Sequence, residues 1–321
     1  MCRVLMIKRS SYYAWRHRKD GKMASYRDTL EKYIKEEYLQ SECRYGSPRI
    51  TTELNSKGIK VSRKTVAKYM KRMGIKSKYS KKYRTTTDSN HNYPVAENIL
   101  NREFNVAGPG RAYVSDITYI PTTEGFLYLT SVLDLFDRNA IGWSMSNGLS
   151  CQETVIPALN MALKRRKKCK NLIFHSDRGI QYACKAAVNT LESHDITQSM
   201  SRKGNCWDNA VAESFFKTLK TELIYGSKRL NKEQTRIAIF EYIELWYNKK
   251  RRHSALNNLT IDEFWDNFYK TKTNLLNVAY SLSKKSLQFH VRLYPLKVKA
   301  IDLLTENQFS TMKTYNLLLL L

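Results

Sequence analysis

The chain has 321 residues, with 55 Lys and Arg against 29 Asp and Glu, a net charge of +26 at neutral pH. That excess points to a polyanionic partner, while 42% hydrophobic and 12% aromatic residues exclude a wholly disordered polybasic tail. No apolar run approaches the ~20 residues that cross a bilayer, and the N-terminus lacks the pattern of a signal peptide. Six scattered cysteines without a C-x-x-C pair argue against a disulfide framework or a structural zinc, so a reducing cytoplasm fits.

Charge is concentrated early. Residues 1–84 hold 24 Lys and Arg and only 7 Asp and Glu, a net +17, which makes this quarter the first candidate for gripping phosphates. Within it Ser47-Pro48 reads as an N-cap followed by Pro at the first helical position. Ile50 and Leu54 keep helical spacing, and Gly58 is placed as a stop. A second helix begins after a Ser62 cap and ends at Gly74. Two short helices joined by a tight connection read as helix-turn-helix. Val66, Tyr69, Met70 and Met73 form the apolar stripe of the second helix, leaving Arg63, Lys64, Lys68, Lys71 and Arg72 outward. A solvated basic face is the competing reading. The surrounding charge favours DNA contact, with Arg63, Lys64 and Lys68 as the contacting residues.

Organisation then changes. Residues 1–85 are expected to form a small all-α, basic helix-turn-helix region, 86–105 a polar linker, 106–268 an α/β core with C-terminal helices, and 269–321 a tail. Ala112 to Ile120, Phe126 to Leu135 and Ala140 to Met145 are β-rich runs separated by short turns, suggesting an antiparallel meander. Gln152 to Lys167 reads helical if Pro157 falls in the first turn. Asn171 to His175 is a short buried strand, and Ala183 to Ser193 and Asp208 to Leu223 are helices. A meander followed by alternating helix and strand implies a mixed sheet with helices on its faces.

Three carboxylates stand out in this acid-poor chain: Asp116, Asp177 and Glu213, spaced D-x60-D-x35-E. Asp116 interrupts an apolar, β-branched run, where a bare carboxylate is costly unless it faces a cleft or a metal. Asp177 follows a strand and precedes Arg178-Gly179, a strand-end turn of the kind that displays ligands. Glu213 lies on a polar helical stripe with Asn209, Lys217 and Lys220, opposite Ala212, Phe215, Phe216 and Leu219. Hard oxygen ligands of this sort suit Mg²⁺ or Mn²⁺, and two such ions suit in-line phosphodiester displacement. The reading for each acid taken singly is a surface ion pair or turn residue. His175 reads more readily as a packing residue than as a substrate contact, and Asp208 as the N-cap of the Glu213 helix. Trp246 to His253 resembles a helix end meeting phosphate, with Arg251 and Arg252 as DNA contacts.

The chain resembles the insertion-sequence transposases with a retroviral-integrase-like DDE core, of the second-reading-frame type. The resemblance rests on Tyr45 to Ile50, Ser115 to Ile120, Leu133 to Arg138, His175 to Gly179, Ser199 to Lys217, and Tyr247-Asn248 through Arg251 to Ser254. It implies an RNase H-like fold, a metal-binding triad of Asp116, Asp177 and Glu213, and Lys220 as the basic residue seven places after the glutamate, with Lys217 beside it on DNA. It further implies a bacterial, nucleoid-associated enzyme that cuts and joins double-stranded DNA at element ends. Target DNA, a homo-oligomer on DNA and a first-reading-frame helix-turn-helix product or fusion are the implied partners, with no membrane. Tyr113 stands where the family usually has Trp, and Gly110 where Asn is common. The competing functions are an RNase H-like nuclease without strand transfer and a catalytically idle DNA-binding element protein. For residues 271–321, rich in Leu, Asn, Ser and Lys with a net +5, translated read-through and a further DNA-binding domain are the two readings.

Overall fold

A computed structural model describes residues 4, 6–16, 22–78 and 94–288; residues 86–93 of the expected linker and the tail beyond 288 lie outside them. The chain divides between Tyr79 and Ser80 into two compact units.

In the first unit, α1 (Arg9–Arg16) buries no side chain. The longer α2 (Lys22–Gln40) packs with α3 (Ser47–Ser56) and α4 (Arg63–Arg72). Each contributes an i, i+4 pair to the core: Leu30 and Ile34, Ile50 and Leu54, Val66 and Met70, with Tyr45 beside them. Gly46, in extended conformation, occupies the cap position expected for Ser47. The α3 C-terminus closes through Ile59 N–H donating to Leu54 O and Gly58 N–H to Asn55 O. Gly58 has φ +82°, the left-handed geometry that glycine adopts without a Cβ penalty. Ser62 Oγ caps α4 by accepting from Thr65 N at 3.2 Å. Arg63, Lys64, Lys68 and Lys71 are exposed, whereas Arg72 is engaged by Glu31 at 2.9 Å.

The second unit is built on a five-stranded sheet in the order β3-β2-β1-β4-β5. Strands β1 (Ala112–Thr122), β2 (Gly125–Asp134) and β3 (Ala140–Ser146) form the expected meander. Strands β4 (Ile173–Ser176) and β5 (Thr197–Met200) add in parallel to the free side of β1. Strand β1 runs past Pro121, which pairs with Phe126. Its missing N–H costs no ladder bond on the other side, because β4 pairs with β1 only as far as Val114.

One face of the sheet is covered by α5 (Val155–Arg165), α6 (Ile180–Ala183) and α7 (Lys185–Ser193), packed with Tyr113, Val132 and Phe174. Pro157 falls in the first turn of α5, as its helix requires. The other face is covered by α8 (Ala210–Leu219) and α9 (Lys232–Glu241), packed with Val114, Ile120, Leu129 and Leu133. Each of these two helices widens at its end into a π turn, at Lys220–Ile224 and Tyr242–Tyr247. A final helix, α10 (Ile261–Gln288), crosses the expected boundary at 268–269. A mixed sheet with helices on both faces, accompanied by a small helical unit, is the RNase H-like arrangement the resemblance implies. No helix among the described residues is long and apolar enough to cross a membrane.

Two features that read as unstructured or unassigned have defined places. From residue 94 onward the expected linker lies along β5: Met200 N donates to Glu97 O at 3.2 Å, Ile99 N to Ser199 Oγ at 3.0 Å, and Leu100 is buried. The Leu133 to Arg138 stretch is an ion cluster. Arg166 donates to Asp134 at 2.8 Å and to both oxygens of Asp137, and Trp265 Nε1 donates to Asp137 Oδ2 at 2.8 Å. Gly110, φ +72°, fits beside it because a Cβ there would meet Lys167 O at 2.5 Å.

Candidate active site

Parallel pairing sets the first half of the site. Strand β1 pairs with β4 through Val114 and His175, so continuing the register by two residues brings Asp177, just past the end of β4, alongside Asp116 of β1. Helix α8 lies on the same side of β1 as Val114 and Ile120, through Phe215 and Phe216, and Glu213 sits in its first turn. Asn209, one turn before Glu213, ties the helix start to the strand by donating from Nδ2 to Ser115 O at 3.0 Å. The residue next to Asp116 is thus clamped to the element carrying Glu213.

The three carboxylates feel one another. Asp116 is held well above the ordinary aspartate range, first by burial and then by the charge of Asp177, with Glu213 adding to the rise; the Ile117 N–H and Lys220 oppose it. Glu213 is raised by burial and by Asp177. Lys220 is 9% exposed; burial lowers its pKa while the Asp116 charge supports its proton. The π turn that begins at Lys220 carries this ammonium inward rather than along the outer face. Beneath the site Tyr182 is buried within 2.8 Å of Ser115 Oγ, its hydroxyl pKa raised by burial and by Asp116 and Asp177. Asp177 Oδ1 accepts from Gly179 N at 2.9 Å. Among the described residues no group of three or more His, Cys, Asp or Glu side chains closes to metal-holding geometry. The three acids form an open set in which Lys220 supplies the neighbouring positive charge. Their chemistry nevertheless suits a hard divalent cation: all are oxygen donors, and like charges crowd a partly buried place.

Other expected residues resolve differently. His175 is fully buried between Ser199 Oγ at 2.9 Å and Ser201 Oγ at 3.2 Å, and burial lowers its pKa to about 4, so a neutral ring braces β4 against β5. Asp208 does not cap α8. It is buried and accepts from Arg202, Arg102 and Asn98. Arg251 and Arg252 are corrected from DNA contacts to core residues, 6% and 3% exposed. Arg251 is bound to Glu222, and Arg252 to Glu263 at 2.7 Å. Lys217 is exposed, one turn beyond Glu213. Sequence reasoning gave Asn209 no role beyond its place on the polar stripe, although its four-residue spacing to Glu213 was the available signal. Tyr182 carried no signal.

Integrase core domain models match residues 106–206 and 194–260, and an HTH-like domain model matches residues 25–83. Transposase InsF for insertion sequence IS3A of Escherichia coli K12 is 41% identical over 266 residues, covering 82% of this chain and 92% of the relative. The insertion element IS600 uncharacterized 31 kDa protein of Shigella sonnei is 37% identical over 270 residues, covering 84% and 99%. Among solved structures, the magnesium-bound HTLV-2 integrase catalytic core (trimeric form) is 15% identical with TM-score 0.36, over 49% of this chain and 96% of that one. The catalytic domain of Mos1 mariner transposase, also 15% identical with TM-score 0.36, aligns over 42% and 70%. With its helix-turn-helix-like unit, its integrase core and this identity over most of its length, the chain belongs to the insertion-sequence transposases of the IS3 InsF type.

Proposed function

We propose that the chain cleaves DNA at the ends of its element and joins the freed ends to target DNA, with Asp116, Asp177 and Glu213 as catalytic carboxylates that hold Mg²⁺, or Mn²⁺ in its place. The observation that carries this reading is the mutual electrostatic influence of three carboxylates delivered by β1, the end of β4 and α8. Perturbed acids from separate elements meeting at one place mark a functional site. Ions held there by Asp116, Asp177 and Glu213 would supply activation of the attacking oxygen and stabilisation of the leaving oxygen. The nucleophile is water in cleavage and a 3′-hydroxyl in joining.

The protein's own groups do the positioning. Asn209 keeps Glu213 over Asp116, and the Asp177–Gly179 turn keeps Asp177 at the strand end. Lys220 places an ammonium beside Asp116, where a scissile phosphate arrives. Residues 1–85 hold duplex DNA through Arg63, Lys64 and Lys68, and Lys217 adds a contact outside the triad. Residues 106–268 are the catalytic core in this reading. A homo-oligomer on DNA, with or without a first-reading-frame product, is the expected assembly.

The test uses end-labelled duplexes carrying candidate element ends, incubated with the full chain and Mg²⁺. A nick at one nucleotide and joined products from precleaved ends are expected. Asp116→Asn, Asp177→Asn and Glu213→Gln should each abolish both while leaving DNA binding in place. Nicks without joined product favour a nuclease, and no nick on any end favours an idle DNA-binding protein.

A further inference from the structure

The loop joining β5 to α8 is fastened at both ends to the residues that flank the triad. At its start Ser201 O accepts from Arg178 Nε at 2.6 Å, next to Asp177, and Ser201 N donates to Ser176 O at 2.9 Å. At its end Asn209 holds Ser115, next to Asp116. Between them the buried carboxylate of Asp208 receives five hydrogen bonds: from Arg202 N, Nε and Nη2, from Arg102 Nε and from Asn98 Nδ2. Directly beside this anchor, Trp207 is 69% exposed, the highest value for a large apolar side chain described in the catalytic unit. Arg202 and Lys203 are also exposed on the loop.

An indole left in water forgoes the stabilisation its large apolar surface would gain on burial. Fixing the neighbouring residue so firmly removes the backbone freedom that an exposed side chain would otherwise lose on binding. A flat, exposed ring next to a firmly held residue, on a loop that also exposes Lys203 and leads into the helix carrying Glu213, suits one chemistry, a nucleobase stacked on the ring with its phosphate on Lys203. We infer that Trp207 stacks on a base of the element-end strand adjacent to the scissile phosphate, and so sets which phosphate enters the site. The inference rests on the transposase reading. Stacking reads no hydrogen-bond pattern, so the contact distinguishes an opened or distorted end from continuous duplex rather than one base from another.

The experiment uses the full chain with element-end duplexes carrying 2-aminopurine at successive positions around the mapped nick. Wild type should quench the fluorophore at one position. Trp207→Ala should abolish that quench and slow cleavage about tenfold to a hundredfold, the range that stacking on one base supports. Trp207→Phe should retain most of both. Affinity for random duplex and the far-ultraviolet circular dichroism should be unchanged in either variant. An abasic nucleotide at the quenched position should slow wild type as much as the alanine variant, and should slow that variant no further. Cleavage by wild type that survives Trp207→Ala, or that ignores base removal at every flanking position, overturns the inference alone. Failure of wild type to cleave any end overturns the transposase reading and this inference with it.

Discussion

Replacing Arg251 with alanine should melt the catalytic unit at lower temperature, not loosen its hold on DNA. The guanidinium donates from Nε and Nη2 to Glu222 at 2.9–3.2 Å and lies 5.5 Å above the Tyr247 ring. Glu222 also accepts from Tyr242 Oη at 2.8 Å and Trp246 Nε1 at 3.2 Å. Alanine removes the guanidinium from that buried carboxylate, and breaking a buried pair from one side costs about 3–5 kcal/mol. At about 2–4 °C per kcal/mol for a unit of this size, the midpoint falls by about 6–20 °C. Calorimetry on the full chain reads the shift, and gel shifts across a salt series, run below the transition, read DNA affinity. The double variant Glu222→Gln with Arg251→Met should recover much of the loss, because it removes both charges and keeps the volume. If Arg251 instead met phosphate, alanine would leave the midpoint in place and flatten the salt slope by about one unit. That pattern refutes the reasoning.

Asp116→Asn should abolish cleavage yet raise the melting temperature of the metal-free protein near neutral pH. A folded-state pKa raised above the unfolded value contributes stability below the ordinary aspartate pKa that is lost as pH rises through the folded value, so the gain should vanish near about pH 4; a lower midpoint at neutral pH contradicts it. Asp208→Asn should act in the opposite sense. The Arg202 hydrogen bonds hold the Asp208 carboxyl well below the usual range, so its contribution is complete above that range and fades as pH falls toward the folded value. The variant should lose about 1–3 kcal/mol near neutrality and show a flatter acid limb in urea melts below about pH 5. Replacing Arg63, Lys64 and Lys68 together with alanine should reduce the salt slope of DNA binding by about 2–3 with an unchanged melting temperature, since all three are exposed; an unchanged slope removes α4 from the DNA-binding surface.

What was legible in the sequence had a local cause. The meander announced itself through β-branched runs, and α3 and α4 through caps, glycine stops and i, i+4 apolar pairs. Strand β5 left no such trace, because Thr197-Gln198-Ser199-Met200 is mostly polar. It is a strand because Ser199 is buried against the His175 ring and accepts from Ile99 and Leu100 amides. Residues 94–105 looked like a linker because their attachment combines backbone and hydroxyl hydrogen bonds with isolated apolar anchors, Leu100 and Phe104, that make no periodic pattern. The Lys249 to His253 run misled because charge density says nothing about direction. Lys249 stays outside, 3.6 Å from Asp262, while the next arginines turn inward to acids distant in sequence or across a turn. Asp116 and Asp177 could be suspected singly, but only the parallel pairing of β1 with β4 makes them neighbours.

The acids of the catalytic unit separate by the sign of their perturbation. Asp208 and Glu263 lie below their ordinary ranges. In Asp208 the Arg202 hydrogen bonds dominate, and in Glu263 the Thr260 amide and Arg252 outweigh partial burial. These groups stabilise the fold by being ionised. Asp116 and Glu213 lie above, because burial and neighbouring carboxylates penalise the same charge. Asp134 tests the rule. It too is raised, first by burial and also by the charge of Asp137, yet its largest opposing influence is Arg166, which donates to it directly, so its partner is already in place. A raised carboxylate that other carboxylates push up and no arginine among its causes opposes is therefore the informative case. Folding is opposed there, and a chain that retains the arrangement gains from whatever cation relieves it. With 55 basic residues to draw on, the sequence pairs arginines with Asp134, Asp137, Asp208, Glu222 and Glu263, whereas the side-chain charge opposing the rise of Asp116 is that of Lys220. An ammonium is a compact point charge on a flexible stem, without the planar bidentate fork of a guanidinium. Lys220 beside Asp116 is thus a different kind of partner from Arg166, which grips both oxygens of Asp137.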